Sequence, residues 1–146
     1  MPHLIDSNLL IYPFDARDPL KQTKARQVLS LLDQHKTGLL SSQALLEFAN
    51  VMLRKLKLPS NQVYSLVDSY ERIFPVLPLT SAVVLEAVRG VRDHHFGYYD
   101  AQVWSVAKLN QLSSVLSEDF ATGSSVEGIS FLNPLEPNFA LGVLER

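Results

Sequence analysis

An α/β fold built on a mainly parallel sheet is the architecture this 146-residue sequence predicts. Two observations predict it. Short apolar segments that read as strands alternate with longer segments whose apolar residues recur at i, i+3, i+4 and i+7, the spacing of one helix face. The composition, 47% hydrophobic and 19% charged, is that of a globular chain rather than a disordered one. The length suits one domain, residues 1–146, with a core from about residue 3 to 135 and a short C-terminal tail to which no role is assigned.

The first strand is His3–Asp6, followed by a short helical turn that ends near Pro13. The stretch DARDPLKQTKARQVLSLLDQH then reads as a helix. Asp18 caps it, Pro19 suits its first position, and Ala25, Val28, Leu29 and Leu32 form its buried stripe. Gly38 closes this unit. Leu39–Ser42 is a short strand leading through a serine cap into the helix QALLEFANVMLRKL, with Leu45, Phe48, Ala49 and Met52 inward. Pro59 and Ser60 open the next helix, with Val63, Leu66, Val67 and Tyr70 at the same spacing. FPVLPLT reads as a strand weakened by Pro75 and Pro78. Thr80 or Ser81 caps a helix that turns Val84, Ala87, Val88 and Val91 inward. The last helix runs from Tyr98 to Gln111. SVLSED is a strand, FATGSSVEG a loop, and ISFLN a strand stopped by Pro134.

Composition removes several classes of function. With no cysteine there is no disulfide, no cysteine-ligated zinc and no cysteine nucleophile, which is compatible with a reducing cytoplasm. A net charge of −2 is not that of a strongly basic nucleic-acid binder, although a local basic face remains open. The start of the chain does not read as a signal peptide, and no uncharged apolar run is long enough for a transmembrane helix, so no membrane is expected. HExxH, G-x-S-x-G, G-x-G-x-x-G and the phosphate-binding loop G-x-x-x-x-G-K-[ST] are all missing.

Open parallel sheets bind ligands beyond the carboxyl ends of their strands. Asp6 ends the first strand there, and Asp119, beside Glu118, ends SVLSED. Glu47 lies in the second turn of the helix after LLSS, on a face with Asn50 and Arg54. Asp100 lies in the first turn of its helix, on one face with Val103, Trp104 and Ala107. Each has an ordinary reading alone: Asp6 as a cap, Asp100 as a first-turn acid favoured by the helix dipole, Glu47 as a solvated surface residue, Asp119 as a turn residue. Together, four acids at comparable positions would repel one another unless a divalent cation were bound. Mg²⁺ and Mn²⁺ take such oxygen ligands and can activate water against a phosphate ester.

These segments resemble a known family. LIDSNLLIY, SSQALLEFANV, FGYYDAQVWSVA and VLSEDFATGSSVEGISFLNPL, in this order and spacing, are similar to the motifs of PIN-domain ribonucleases and, within them, the VapC-type toxins of prokaryotic toxin–antitoxin pairs. The resemblance covers about residues 3–135. It implies a three-layer α/β/α sandwich and an acidic metal site of Asp6, Glu47, Asp100 and Asp119. Ser7 and Asn8 would support Asp6, and Ser117 the last acid. Glu118 is an additional candidate, with Asp119 the family-equivalent position. It further implies Mg²⁺- or Mn²⁺-dependent cleavage of RNA by metal-activated water, a cognate antitoxin that blocks the site, and a homodimer.

RNA needs cations for its phosphates, and Arg54, Lys55, Lys57, Arg89 and Arg92 are candidates, each equally readable as a solvated charge. Trp104 reads as core, whereas Tyr98 and Tyr99 sit at the presumed mouth of the site and are open to base stacking. The adjacent His94 and His95 point different ways and read as helix-end residues rather than a metal pair. The alternatives to a ribonuclease are a catalytically inactive PIN-like binding or regulatory module, and a phosphatase that shares the carboxylates.

Overall fold

A computed structural model describes residues 2–120 and 122–146. The chain runs through β1 (His3–Ile5), α1 (Ser7–Ile11), a 3-10 turn (Tyr12–Phe14), α2 (Pro19–His35), β2 (Gly38–Ser41), α3 (Ser42–Arg54), α4 (Ser60–Ile73) and β3 (Val76–Leu77). It continues through α5 (Ser81–His94), α6 (Tyr98–Leu109), β4 (Ser114–Leu116), β5 (Ser125–Val126), β6 (Ile129–Leu132) and a final 3-10 turn (Leu141–Glu145). The strands form one sheet in the order β3-β2-β1-β4-β6-β5, parallel throughout except where β5 meets β6.

Strand alternation sends neighbouring side chains to opposite faces. Leu4 joins Val83, Val103, Trp104, Val115 and Phe131 under α5 and α6. Ile5 joins Leu9, Val28, Leu40, Phe48 and Leu116 under α1 to α4. The result is a three-layer sandwich with the sheet in the middle. The tail belongs to this second face: Leu144 is fully buried, and its carbonyl accepts from Thr37 Oγ1 at 2.5 Å.

Four local expectations are corrected. Gly38 opens β2 instead of closing the α2 unit. The helix ends two residues earlier, at Lys36 in the left-handed region (φ 55°). Gly38 is small because a Cβ there would lie 2.9 Å from Phe74 Cε1 and 3.0 Å from Ile5 Cδ1. Next, FPVLPLT keeps only Val76–Leu77 as strand, at the sheet edge, where its flanking prolines are tolerated. SVLSED keeps only Ser114–Leu116, so Glu118 and Asp119 stand in the loop beyond. Finally, FATGSSVEG contains β5, paired to β6 through a tight turn with Glu127 (φ 50°) and Gly128 (φ 85°) both left-handed; Ala121 of that segment lies outside the described residues.

α5 also turns differently from the expectation. Val83, Ala87 and Gly90 face the core, while Val84 and Val88 are 36% and 53% exposed. Gly90 is part of the buried stripe because Trp104 of α6 lies against it. A Cβ at Gly90 would come 2.8 Å from Trp104 Cζ3 and 3.2 Å from Phe96 Cδ2. Gly90→Ala should therefore destabilise the protein by up to about 2 kcal/mol, the overpacking cost exceeding the roughly 1 kcal/mol that alanine gains within a helix. Urea denaturation of the two proteins measures this, and an alanine variant as stable as the parent or more so would refute it.

Candidate active site

β1 and β4 lie side by side, yet the chain leaves β1 toward β2 on its other edge. The crevice beyond their carboxyl ends is thus a topological switch point, where open sheets bind ligands. Asp6 follows β1 directly, and its N–H donates to Leu116 O at 3.0 Å. Its carboxylate accepts from Ser7 N at 2.8 Å, capping α1, and from Ser117 Oγ at 2.8 Å. The cap reading of Asp6 is borne out, and its other oxygen is taken by Ser117.

Ser117 is fully buried. Besides donating to Asp6, its hydroxyl oxygen accepts from Asn8 Nδ2 at 3.2 Å and from Asp119 N at 3.1 Å. Asn8 Nδ2 also reaches Asp119 Oδ2 at 3.3 Å. α3 brings Glu47 to the same place, capped at its start by Ser41 Oγ. Ser7 Oγ donates to Glu47 Oε2 at 2.5 Å, and Gln43 Nε2 to Glu47 Oε1 at 2.8 Å. Gln43 was not among the sequence candidates. Its i, i+4 spacing to Glu47 was the available signal. Asp100, in the first turn of α6, has no hydrogen-bond or ion-pair partner among the described residues.

The electrostatics join these groups. Burial pushes Asp6 up to about 7, opposed by its hydrogen bonds to Ser117 and Ser7 and reinforced by Glu47 and Asp119. Partial desolvation raises Asp100, with Asp119 and Glu47 adding repulsion. Desolvation likewise raises Asp119, with Glu118 and Glu47 adding to it and Asn8 opposing. Among the described residues no Lys or Arg forms an ion pair with Asp6, Glu47, Asp100 or Asp119. Glu118 differs: its carboxylate accepts from Tyr12 Oη–H and pairs with Lys21 Nζ at 2.9 Å, so its charge is already balanced.

This donor set fits a hard divalent cation. It offers only oxygen, its charges are mutually unfavourable, and Asn8 Oδ1 and Gln43 Oε1 are buried acceptors without a protein partner among the described residues. No three Asp, Glu or His side chains among the described residues are grouped closely enough to hold a metal by themselves.

Next to the acids, a groove of about 450 Å³ is lined by Ser7, Ile11, Leu46, Glu47, Asn50, Val51 and Tyr99. Of the basic candidates, Arg89 is engaged by Glu86, Asp93 and Glu127, and Arg92 by Asp93. Arg54, Lys55 and Lys57 are exposed and form no ion pair among the described residues. His94 pairs with Glu127, while His95 closes α5 in the left-handed region. Trp104 is fully buried, and Tyr99 is 68% exposed.

A mainly parallel sheet with helices on both faces and acids at its switch point defines a class of α/β protein with an acidic crevice. The chain matches the PIN domain over residues 3–121 and belongs to that family. Its fold is similar to a chain of a solved structure described as a toxin–antitoxin complex from Klebsiella pneumoniae. The TM-score is 0.63, over 90% of this chain and 97% of that one, at 17% identity. No curated protein matches the chain.

Folding raises the affinity of Asp6 for a proton above that of the unfolded chain, where its ordinary value is 3.8. Its favourable contribution is complete below that value, declines as pH rises, and is gone above about 7. Ionised Asp6 then costs on the order of 4 kcal/mol in metal-free protein. Asp6→Asn should accordingly be the more stable protein at pH 8 without metal, with the gap closing toward pH 4. Denaturation of both proteins across that range checks this, and parallel stability profiles would contradict it.

Proposed function

We propose that this chain is a metal-dependent endoribonuclease, the VapC-type toxin of a toxin–antitoxin pair. The observation that carries the reading is that four carboxylates act on one another at the switch point with no basic partner among the described residues. Asp6, Asp100 and Asp119 would hold Mg²⁺ or Mn²⁺, with Glu47 completing the site directly or through water. Bound there, the ion would lower the pKa of a water and offset charge on the phosphate.

The protein's own groups do the rest. Ser117 Oγ and Ser7 N fix the two oxygens of Asp6. Asn8 steadies Asp119. Glu47, held by Ser7 and Gln43, would orient the attacking water. Arg54, Lys55 and Lys57 would meet the RNA backbone; Arg89 and Arg92 are already committed to acids and would contribute less. The same reading gives the protein a cytoplasmic location, a single domain over residues 1–146, a homodimeric state and an antitoxin that covers the site. Among the described residues, no helix is long and apolar enough to cross a membrane.

Purified protein free of antitoxin should cut total RNA into defined fragments with Mg²⁺ or Mn²⁺, whereas EDTA or Asp100→Asn lowers the rate at least about 100-fold, the upper end of what losing an outer-shell partner of a metal costs. Mg²⁺ should also raise the thermal midpoint of the parent more than that of Asp100→Asn. Intact RNA in every lane from folded, antitoxin-free protein would favour the inactive binding module. Release of phosphate from small esters with RNA left uncut would favour a phosphatase.

A further inference from the structure

We propose that the groove beside the acids is a nucleobase pocket that selects which phosphodiester is cut. In it Tyr99 stacks on an unpaired base and Asn50 reads that base's edge. This rests on the ribonuclease reading given above and adds the element of substrate choice. The groove is continuous with the acidic crevice, because Ser7 and Glu47 belong to both. A base lodged there is therefore adjacent to the phosphate held by the acids.

The walls match an aromatic ring with polar edges. Ile11 and Val51 give an apolar floor, and Leu46 and Tyr99 stand 64% and 68% exposed at its rim. A volume of about 450 Å³ accommodates a base with its sugar. Tyr99 has no hydrogen-bond partner among the described residues, and its one ring contact is Tyr98, with centroids 5.7 Å apart. An exposed tyrosine ring beside a crevice is a stacking surface indifferent to base identity. Discrimination falls to Asn50, which carries a donor and an acceptor, is exposed, and forms no hydrogen bond among the described residues.

α3 extends the track. Glu47, Asn50 and Arg54 share one helix face, and Arg54 stands about 10 Å along the axis from Glu47. Its guanidinium is unpaired among the described residues and suits the phosphate on the far side of the base. The occupant is then a single strand, because a base still paired in a duplex cannot present its face to Tyr99.

The test uses the full-length protein, Mg²⁺ and short single-stranded RNAs that vary one base beside the cut. Tyr99→Ala should raise KM about tenfold with kcat changed less than about threefold, and Tyr99→Phe should restore it. Asn50→Ala should flatten the base preference at one position. Arg54→Ala should reduce the slope of log KM against log salt by about 0.7. All three variants should keep the parent's thermal shift with Mg²⁺. If the parent cuts RNA while Tyr99→Ala and Asn50→Ala leave KM and base preference unchanged, the pocket is refuted. If the parent cuts no RNA with metal present, the ribonuclease reading itself has failed.

Discussion

The site depends on one hydroxyl. Ser117 Oγ has one proton to give and two lone pairs to fill, and all three are used: it donates to Asp6 and accepts from Asn8 Nδ2 and Asp119 N. Those partners come from the end of β1, from α1 and from the loop after β4, so a single atom sets the spacing between two strands' outgoing chains. Its complete burial removes water as a competitor and makes the geometry strict. The parallel pairing of Ile5 with Leu116 carries Ser117 to that place. Side chains on both sheet faces enforce the pairing in turn.

The chain uses carboxylates in two opposite ways. Glu127, in the turn between β5 and β6, is held down at about 2, first by Arg89 and then by Lys108 and His94. It fastens the hairpin to α5 and α6 through exposed ion pairs of the kind that contribute little individually. Asp6 is pushed up to about 7 by burial, with two hydrogen bonds but no cation among the described residues. The same chemical group is thus relaxed at the hairpin and strained at the crevice. Functional sites are where such an unfavourable arrangement survives, supported by packing elsewhere.

How much of this could be read from residues alone follows from the kind of signal each element leaves. α2, α3 and α4 were legible because their apolar residues are large and recur at helical spacing. α5 was legible as a helix but not in its rotation: Gly90 carries no apolar signal, yet it lies in the stripe that packs on Trp104. β5 is two residues long, with Val126 half-buried, so no alternation marks it. Asp6, Asp119 and Asp100 stood out by their positions after strands and in a first turn, whereas Glu47, in a second turn, entered the set through the order of the motifs. Residue pattern alone left the Glu118–Asp119 pair open and the resemblance favoured Asp119; that Glu118 is engaged by Tyr12 and Lys21, about a hundred residues away in sequence, had no local signal. Gln43 was missed for a related reason, since an amide on a helix has no distinctive pattern until its partner is known.

The strand order also has a temporal consequence. β1 is made early, but its neighbour β4 comes late, and the Ser117–Asp6 bond closes a separation of 111 residues. Contacts of that range form only after the intervening loop entropy has been overcome. The helices over α2 to α4 can form from local contacts, but the acidic crevice cannot exist until β4 has docked on β1. A chain still emerging from the ribosome therefore carries Asp6, Glu47 and Asp100 without the arrangement that would let them act together. Assembly of the crevice therefore waits for the late strand β4 to dock on the early strand β1.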